Sequence, residues 1–200
     1  FDITLPIGQY TLEISKDGYI IGYYNVVSRS DDGVQRMYYV LTPIMKDGEY
    51  RIILTWNSTP RDLDSHLTYY ESGATTSSMH VYFSNKRGVI DGVKVAELDL
   101  DDTNGYGPET VTLTVNATIL DNNAYFRYSV YVFTNSGSGS TSKALSYSGA
   151  VVRVYGNNEL LETYNVPTNS IGNVWQVFKW SEAGLQTLGT FKNKSSANVE

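Results

Sequence analysis

The sequence predicts an all-β protein, most of it built as a β-sandwich. Apolar and polar residues alternate with a period of two along nearly the whole chain, as strands with one buried face require. Clusters of Gly, Asp, Asn and Pro interrupt these runs at short intervals, where turns belong. No segment sustains the 3.6-residue period of an amphipathic helix.

Composition agrees with this class. The 200 residues suffice for one large β domain or two small ones, and an apolar share of 41% supplies a core. The 17 tyrosines suit pleated, half-buried surfaces. A net charge of −6 argues against nucleic acid or an anionic membrane as partner. No run reaches the ~18 apolar residues of a membrane-spanning helix, so no membrane insertion is expected. The chain has no cysteine, which fits a secreted bacterial protein better than a disulfide-stapled one. It opens inside an alternating run, so it is expected to be a piece of a longer protein with neighbouring domains.

Phe1, Ile3 and Leu5 alternate with Asp2 and Thr4 as a first strand, closed by a turn at Pro6-Ile7-Gly8. Tyr10, Leu12 and Ile14 form the next, and Lys16-Asp17-Gly18 turns the chain, Asp-Gly being a strong hairpin signal. Strands over 20–27 and 35–41 lie on either side of Asp31-Asp32-Gly33, and Thr42-Pro43 closes a first block spanning 1–43. A second block, 44–200, opens at Lys46-Asp47-Gly48. Strands are expected over 49–56, 63–70, 79–84, 93–100, 109–115 and 125–134. Ser136-Gly137-Ser138-Gly139-Ser140-Thr141 reads as a flexible loop, too short for a domain linker. The runs 150–155 and 160–166 make a hairpin around Gly156-Asn157-Asn158, and 174–180 is a last, aromatic strand. The polar tail after Phe191 is expected to fray.

Two short acidic motifs carry the chemistry. One is Asp62-Leu63-Asp64-Ser65-His66; the other runs from Leu98-Asp99-Leu100-Asp101-Asp102 through Thr103-Asn104-Gly105-Tyr106-Gly107-Pro108 to Glu109. Strand alternation puts Asp62, Asp64 and His66 on one face, with Leu63, Ser65 and Leu67 on the other. It likewise puts Asp99 and Asp101 opposite Leu98 and Leu100. Carboxylates this concentrated repel one another unless a cation sits among them, and an all-oxygen ligand set favours a hard ion. Asp62, Asp64, Asp101, Asp102 and Glu109, with one carbonyl from the Gly-rich loop, match the 6–8 oxygens that Ca2+ takes. Zinc is less apt, since there is no Cys and only His66 and His80 are available.

Other readings stay open at this point. The acidic residues can instead form a solvated edge. Asp64 and Glu109 can be a general acid/base pair of the glycosidase kind. Against catalysis, the sequence contains no nucleophile elbow, HExxH, P-loop or dinucleotide Gly pattern. His66 either caps the acidic group by hydrogen bonding or lies at the surface. The tyrosine pairs Tyr23-Tyr24, Tyr38-Tyr39 and Tyr69-Tyr70 put one ring on each face of a strand, and an outward ring can stack on a sugar. Trp56, Trp175 and Trp180 read as core or near-core residues.

Three resemblances add to this. Phe1-Asp2-Ile3-Thr4-Leu5-Pro6-Ile7-Gly8-Gln9-Tyr10-Thr11-Leu12, Lys16-Asp17-Gly18-Tyr19 and Tyr39-Val40-Leu41-Thr42-Pro43 resemble the later strands of a carboxypeptidase regulatory-like (transthyretin-like) domain, with the first strands missing. That implies a small, partial prealbumin-like β unit at the N-terminus. Leu54-Thr55-Trp56, Asp62-Leu63-Asp64-Ser65-His66-Leu67, Asp101-Asp102-Thr103 and Gly105-Tyr106-Gly107-Pro108-Glu109 resemble the YfaP-like (DUF2135) proteins, as do Gly149–Tyr155 and Val174–Phe178. The family occurs in secreted, surface and modular bacterial proteins. A looser similarity is to the TerD-like calcium-binding proteins, which pair a comparable Asp-Leu-Asp strand with a later acidic loop and an aromatic strand like Val81-Tyr82-Phe83-Ser84-Asn85.

The resulting expectation is a non-catalytic, calcium-binding β-sandwich module of a secreted or cell-surface bacterial protein. It would serve adhesion, spacing or ligand presentation, with a cell-surface glycan or protein as partner. A carbohydrate-binding module using exposed Tyr or Trp is the alternative, and an acid/base hydrolase the third reading.

Overall fold

Strand-forming alternation translates into thirteen β-strands among the residues described, with one three-residue 3-10 turn, Asp121–Asn123, as the only helical element there. The computed structural model describes residues 2–30, 33, 37–116, 118–133, 142–194 and 199. No helix among them is long and apolar enough to cross a membrane. The chain divides into two compact units, Phe1–Met45 and Lys46–Glu200.

In the first unit, β1 (Gly8–Ile14) and β2 (Gly22–Ser28) form a two-stranded antiparallel sheet, with Tyr10 opposite Val26 and Leu12 opposite Tyr24. Lys16-Asp17-Gly18 makes the expected turn: the Tyr19 amide donates to the Lys16 carbonyl at 3.0 Å, and Gly18 takes a φ of 79°. The strand expected over 1–5 is absent from residues 2–5, and Phe1 lies outside the described residues. Side chains tether that segment instead: Ser28 Oγ donates to the Leu5 carbonyl, and Tyr10 OH to that of Pro6. Residues 37–41 likewise form no strand, and Tyr24 OH on the Val40 carbonyl and the Tyr24–Tyr39 ring contact at 4.3 Å hold them. Residues 34–36, Asp31 and Asp32 lie outside the described residues. Alternation shows which side chains can share a face, but a strand also needs a neighbour to take its amides and carbonyls.

The second unit holds β3 (Glu49–Thr55), β4 (Leu63–Tyr70), β5 (Met79–Val81), β6 (Arg87–Ile90), β7 (Val93–Leu100) and β8 (Glu109–Thr114). It continues with β9 (Tyr125–Val132), β10 (Val151–Gly156), β11 (Glu159–Asn165), β12 (Val174–Ser181) and β13 (Gly184–Lys192). A six-stranded sheet has the order β11-β10-β3-β8-β7-β6, and a five-stranded sheet the order β13-β12-β9-β4-β5. Every pairing is antiparallel. The inner faces meet in one apolar core, in which Ile52, Leu54, Val111, Leu113, Val152 and Val154 face Leu63, Leu67, Phe126, Tyr128, Trp175 and Phe178. All three tryptophans are buried, as their surroundings in the sequence implied. In β12 a bulge between Gln176 and Phe178 breaks the alternation, so that both Val177 and Phe178 enter the core.

The hairpin at Gly156-Asn157-Asn158 forms as expected, with left-handed backbone at Asn157 (φ 53°) and Asn158 (φ 62°). Two strands were not anticipated. β6 pairs with β7 through a turn at Asp91-Gly92, an Asp-Gly signal overlooked in the sequence. β13 extends the edge of the five-stranded sheet beyond the strand expected to be the last. The Ser/Gly loop over 136–141 lies outside the described residues.

Candidate metal centre

The first acidic motif is on β4, with the parity its alternation predicts. Leu63, Leu67 and Tyr69 enter the core, and Asp64, His66, Thr68 and Tyr70 take the other face. That second face is covered too, so all of β4 is buried. Tyr82 lies parallel to the His66 ring at 5.5 Å, and Tyr131 meets it edge-on at 5.8 Å. Asp62 and Asp64 keep only 3% and 2% of their surface. Asp62 and Asp64 therefore form no solvated edge, whereas Asp99 is exposed and Asp101 and Asp102 are half-buried. Tyr69 and Tyr70 are both buried for the same reason.

Asp101 reaches the site through a break in alternation. A bulge between Leu98 and Leu100 shifts the register of β7 against β8. Leu98 is buried, but Leu100 turns outward and is 47% exposed. Asp99 takes a hydrogen bond from Thr112 Oγ1. Asp101, one residue past Leu100, turns towards β4. The sequence placed Asp99 and Asp101 on one face; the bulge separates them.

Glu109 is delivered by the loop before it. Gly105, Tyr106 and Gly107 all have left-handed φ values, 86°, 69° and 75°. The Trp56 amide donates to the Tyr106 carbonyl at 3.2 Å, and the Tyr106 amide to that of Asn57 at 3.1 Å. Gly107 passes so close over the Trp56 indole that a Cβ there would lie 2.8 Å from Trp56 Cζ3 and 2.9 Å from the Leu54 carbonyl. Only glycine fits both the dihedral and the space. The chain then enters β8, and Glu109 points into the sandwich with 0% exposure.

β5 pairs with β4 only at Leu67–Tyr69, so the Ser65 amide lies past the end of β5. Glu109 Oε2 accepts its hydrogen in a short, buried bond. Ser65 Oγ in turn contacts Tyr128 OH at 2.6 Å in the core.

One oxygen from each of Asp64, Asp101 and Glu109 lies within 4.8 Å of the other two. Oxygens held by one calcium at about 2.3–2.6 Å can be at most roughly 5 Å apart, so a single ion can reach all three. Asp64 Oδ2, Glu109 Oε1 and Asp62 Oδ1 are buried without a hydrogen-bond partner, a costly arrangement unless a cation takes them up. Burial, then the charges of Asp62 and Asp101, push the Asp64 carboxyl up to about 8. Burial drives Glu109 to about 9, helped by Asp64 and opposed by the Ser65 hydrogen bonds. Burial also raises Asp62, against the pull of Arg61. Lys86 Nζ pairs with Asp101 Oδ2 at 2.7 Å.

Of the five expected ligands, Asp64, Asp101 and Glu109 come together. Asp62 stands beside them, outside the closest group. Asp102 Oδ1 accepts the Asn104 amide at 2.7 Å, a turn-forming role. The loop carbonyl of Tyr106 is taken by Trp56. His66 does not cap the acids: its Nδ1 meets His80 Nε2 at 2.8 Å, and its own Nε2 is buried without a partner. Sequence reasoning missed Ser65, Tyr128 and Lys86. The first two act through an amide and a core hydroxyl that no motif marks, and Lys86 comes from the overlooked β6 hairpin.

Solved structures with a similar fold include the following. A homologue of the telluride resistance protein TerD, SCO6318 from Streptomyces coelicolor A3(2), superposes with a TM-score of 0.53 at 16% identity, covering 73% of this chain and 93% of that one. The sandwich has the fold of a TerD homologue. The protein SAV2460, of unknown function, matches with a TM-score of 0.51 at 15% identity, covering 73% of this chain and 92% of that one. No family model matches the chain. The YfaP-like and carboxypeptidase regulatory-like resemblances thus gain nothing, while the TerD-like one is supported at the level of fold. At these identities the likeness extends to the fold alone.

Proposed function

We propose that the TerD-like sandwich is a non-catalytic, calcium-binding module of a secreted or cell-surface protein, in which the ion ties the two sheets together. The observation that carries this reading is a group of three converging carboxylates in which Asp64 and Glu109 each keep one buried oxygen without a hydrogen-bond partner. Asp64 lies on the five-stranded sheet, while Asp101 and Glu109 flank the loop between two strands of the other. An ion bound to all three crosslinks the sheets and offsets the burial and, to a lesser degree, the mutual repulsion that raise both carboxyls. Calcium suits the site better than a softer metal because every donor is oxygen. Catalysis is disfavoured because Asp64 and Glu109 are too deeply buried for a sugar to pass between them, while an ion needs no more than the space between their oxygens. Extracellular modules hold calcium with Kd of about 10⁻⁴–10⁻³ M, which is the range expected here. The module's outer surface is then free for adhesion, spacing or ligand presentation.

Titration calorimetry with calcium tests this. Binding in that range by the native chain, abolished in Asp101→Asn, is the expected result. Heat that is unchanged in Asp101→Asn would remove the acidic group from the account.

A further inference from the structure

We propose that Lys86 is a built-in competitor of the metal ion. Its ammonium group occupies Asp101 in the ion-free protein and leaves when a divalent cation enters, setting both the affinity of the site and its preference for divalent over monovalent ions. The inference rests on the metal-binding reading above and names the residue that regulates it.

Lys86 Nζ lies 2.7 Å from Asp101 Oδ2, on one of the three carboxylates that form the site. An ion coordinated by Asp101 would sit on the same carboxylate, with two positive centres only a few ångströms apart and repelling each other. The two cations are unequal in reach. Lys86 neutralises Asp101 at the rim, but no cation among the described residues reaches the buried oxygens Asp64 Oδ2 and Glu109 Oε1, which have no hydrogen-bond partner. A small ion satisfies all three groups at once.

Displacing the lysine is also cheap. Its side chain is 50% exposed, so water takes up the released ammonium, and an ion pair of that kind contributes little. The backbone need not move, because the Leu98 amide donates to the Lys86 carbonyl at 2.8 Å and fixes the start of the hairpin. Charge then provides selectivity. A monovalent ion only replaces one positive charge with another, whereas a divalent ion adds one to a group of three carboxylates.

Calorimetric calcium titration of the native chain, Lys86→Gln, Lys86→Arg and Lys94→Gln, with and without added sodium, is the test. Lys94 sits on the same hairpin but pairs with Glu97, so Lys94→Gln controls for net charge. Removing one exposed ion pair and one nearby positive charge should tighten calcium binding roughly three- to tenfold in Lys86→Gln. Lys86→Arg and Lys94→Gln should stay near the native value, and sodium should weaken binding to Lys86→Gln more than to the native chain. Equal calcium affinity in the native chain and Lys86→Gln would overturn the role of Lys86 and leave the metal site intact. Binding by Lys86→Gln alone would uphold the competition and overturn the reading that the native chain holds calcium. Binding by neither overturns both.

Discussion

Glu109 Oε2 accepts the amide hydrogen of Ser65, joining the first residue of β8 to the strand amide that lies past the end of β5. This bond crosses from one sheet to the other at the edge where β5 stops. It uses one carboxylate oxygen as a stand-in for a strand carbonyl and leaves the second, Oε1, buried and unpartnered beside Asp64 and Asp101. The acidic group thus lies within the sandwich edge, not on its surface.

Asp64→Asn separates the charge of the site from its shape. At pH 9 in EDTA the native Asp64 is largely ionised within a dry acidic group, and the amide removes that penalty. The ion-free variant should therefore be more stable than the native chain, by about 1–3 kcal/mol, as when a buried charge is replaced by a neutral group. Calcium should no longer raise its melting temperature. Thermal melts of both proteins, with EDTA and with calcium, check both halves.

The pH dependence has a definite sign. Asp64 and Glu109 titrate near 8 and 9 in the folded chain, against ordinary values of 3.8 and 4.5. The folded state thus holds protons that the unfolded state has released, and ion-free stability present in acid is lost as pH rises through the folded values. Melts in EDTA should show a lower midpoint at pH 9 than at pH 5. Calcium competes with those protons, so its stabilising shift should be larger at pH 9. A flat profile in EDTA, or a larger calcium shift at pH 5, would contradict the arrangement.

Gly107→Ala tests the loop that delivers Glu109. The added methyl meets Trp56 Cζ3 at 2.8 Å and must also adopt a φ of 75°. A loss of about 2–4 kcal/mol is expected from strain and overpacking combined. Denaturant unfolding measures it, and calcium titration of the variant should show weakened binding because Glu109 follows the loop. Gly33→Ala, where φ is also left-handed at 46° but nothing lies within 4 Å of the added atom, should keep the backbone strain without the overpacking and cost less.

Ser65→Ala strips Tyr128 OH of its 2.6 Å partner inside the core. A buried hydroxyl left unpaired costs about 1–3 kcal/mol. Adding Tyr128→Phe should return much of that loss, and unfolding of the single and double variants provides the cycle.

Much of the fold was legible because alternation encodes which face a side chain takes. The strand over 63–70, the faces of its Asp and Leu residues, and the turn at Asn157-Asn158 follow from residue spacing alone. The failures have common causes. Alternation cannot show whether a partner strand exists, which is why residues 2–5 were misread. It also cannot show a bulge: the extra residue near Asp99 reversed the parity that Asp101 was expected to keep. Nor does it reveal that both faces of a strand are covered, which turned His66 from a cap on the acids into the partner of His80. The pairing of Asp64 with Glu109 came from the motif resemblance, since residues 45 positions apart carry no local signal of contact.

The most direct test of a calcium-closed sandwich is a thermal melt of the native chain in EDTA, followed by the same melt with millimolar calcium. The account predicts a clear rise in midpoint with calcium, growing with its concentration as binding to the folded state alone requires. Asp101→Asn should remove that rise. An identical midpoint in EDTA and in excess calcium would contradict the central claim.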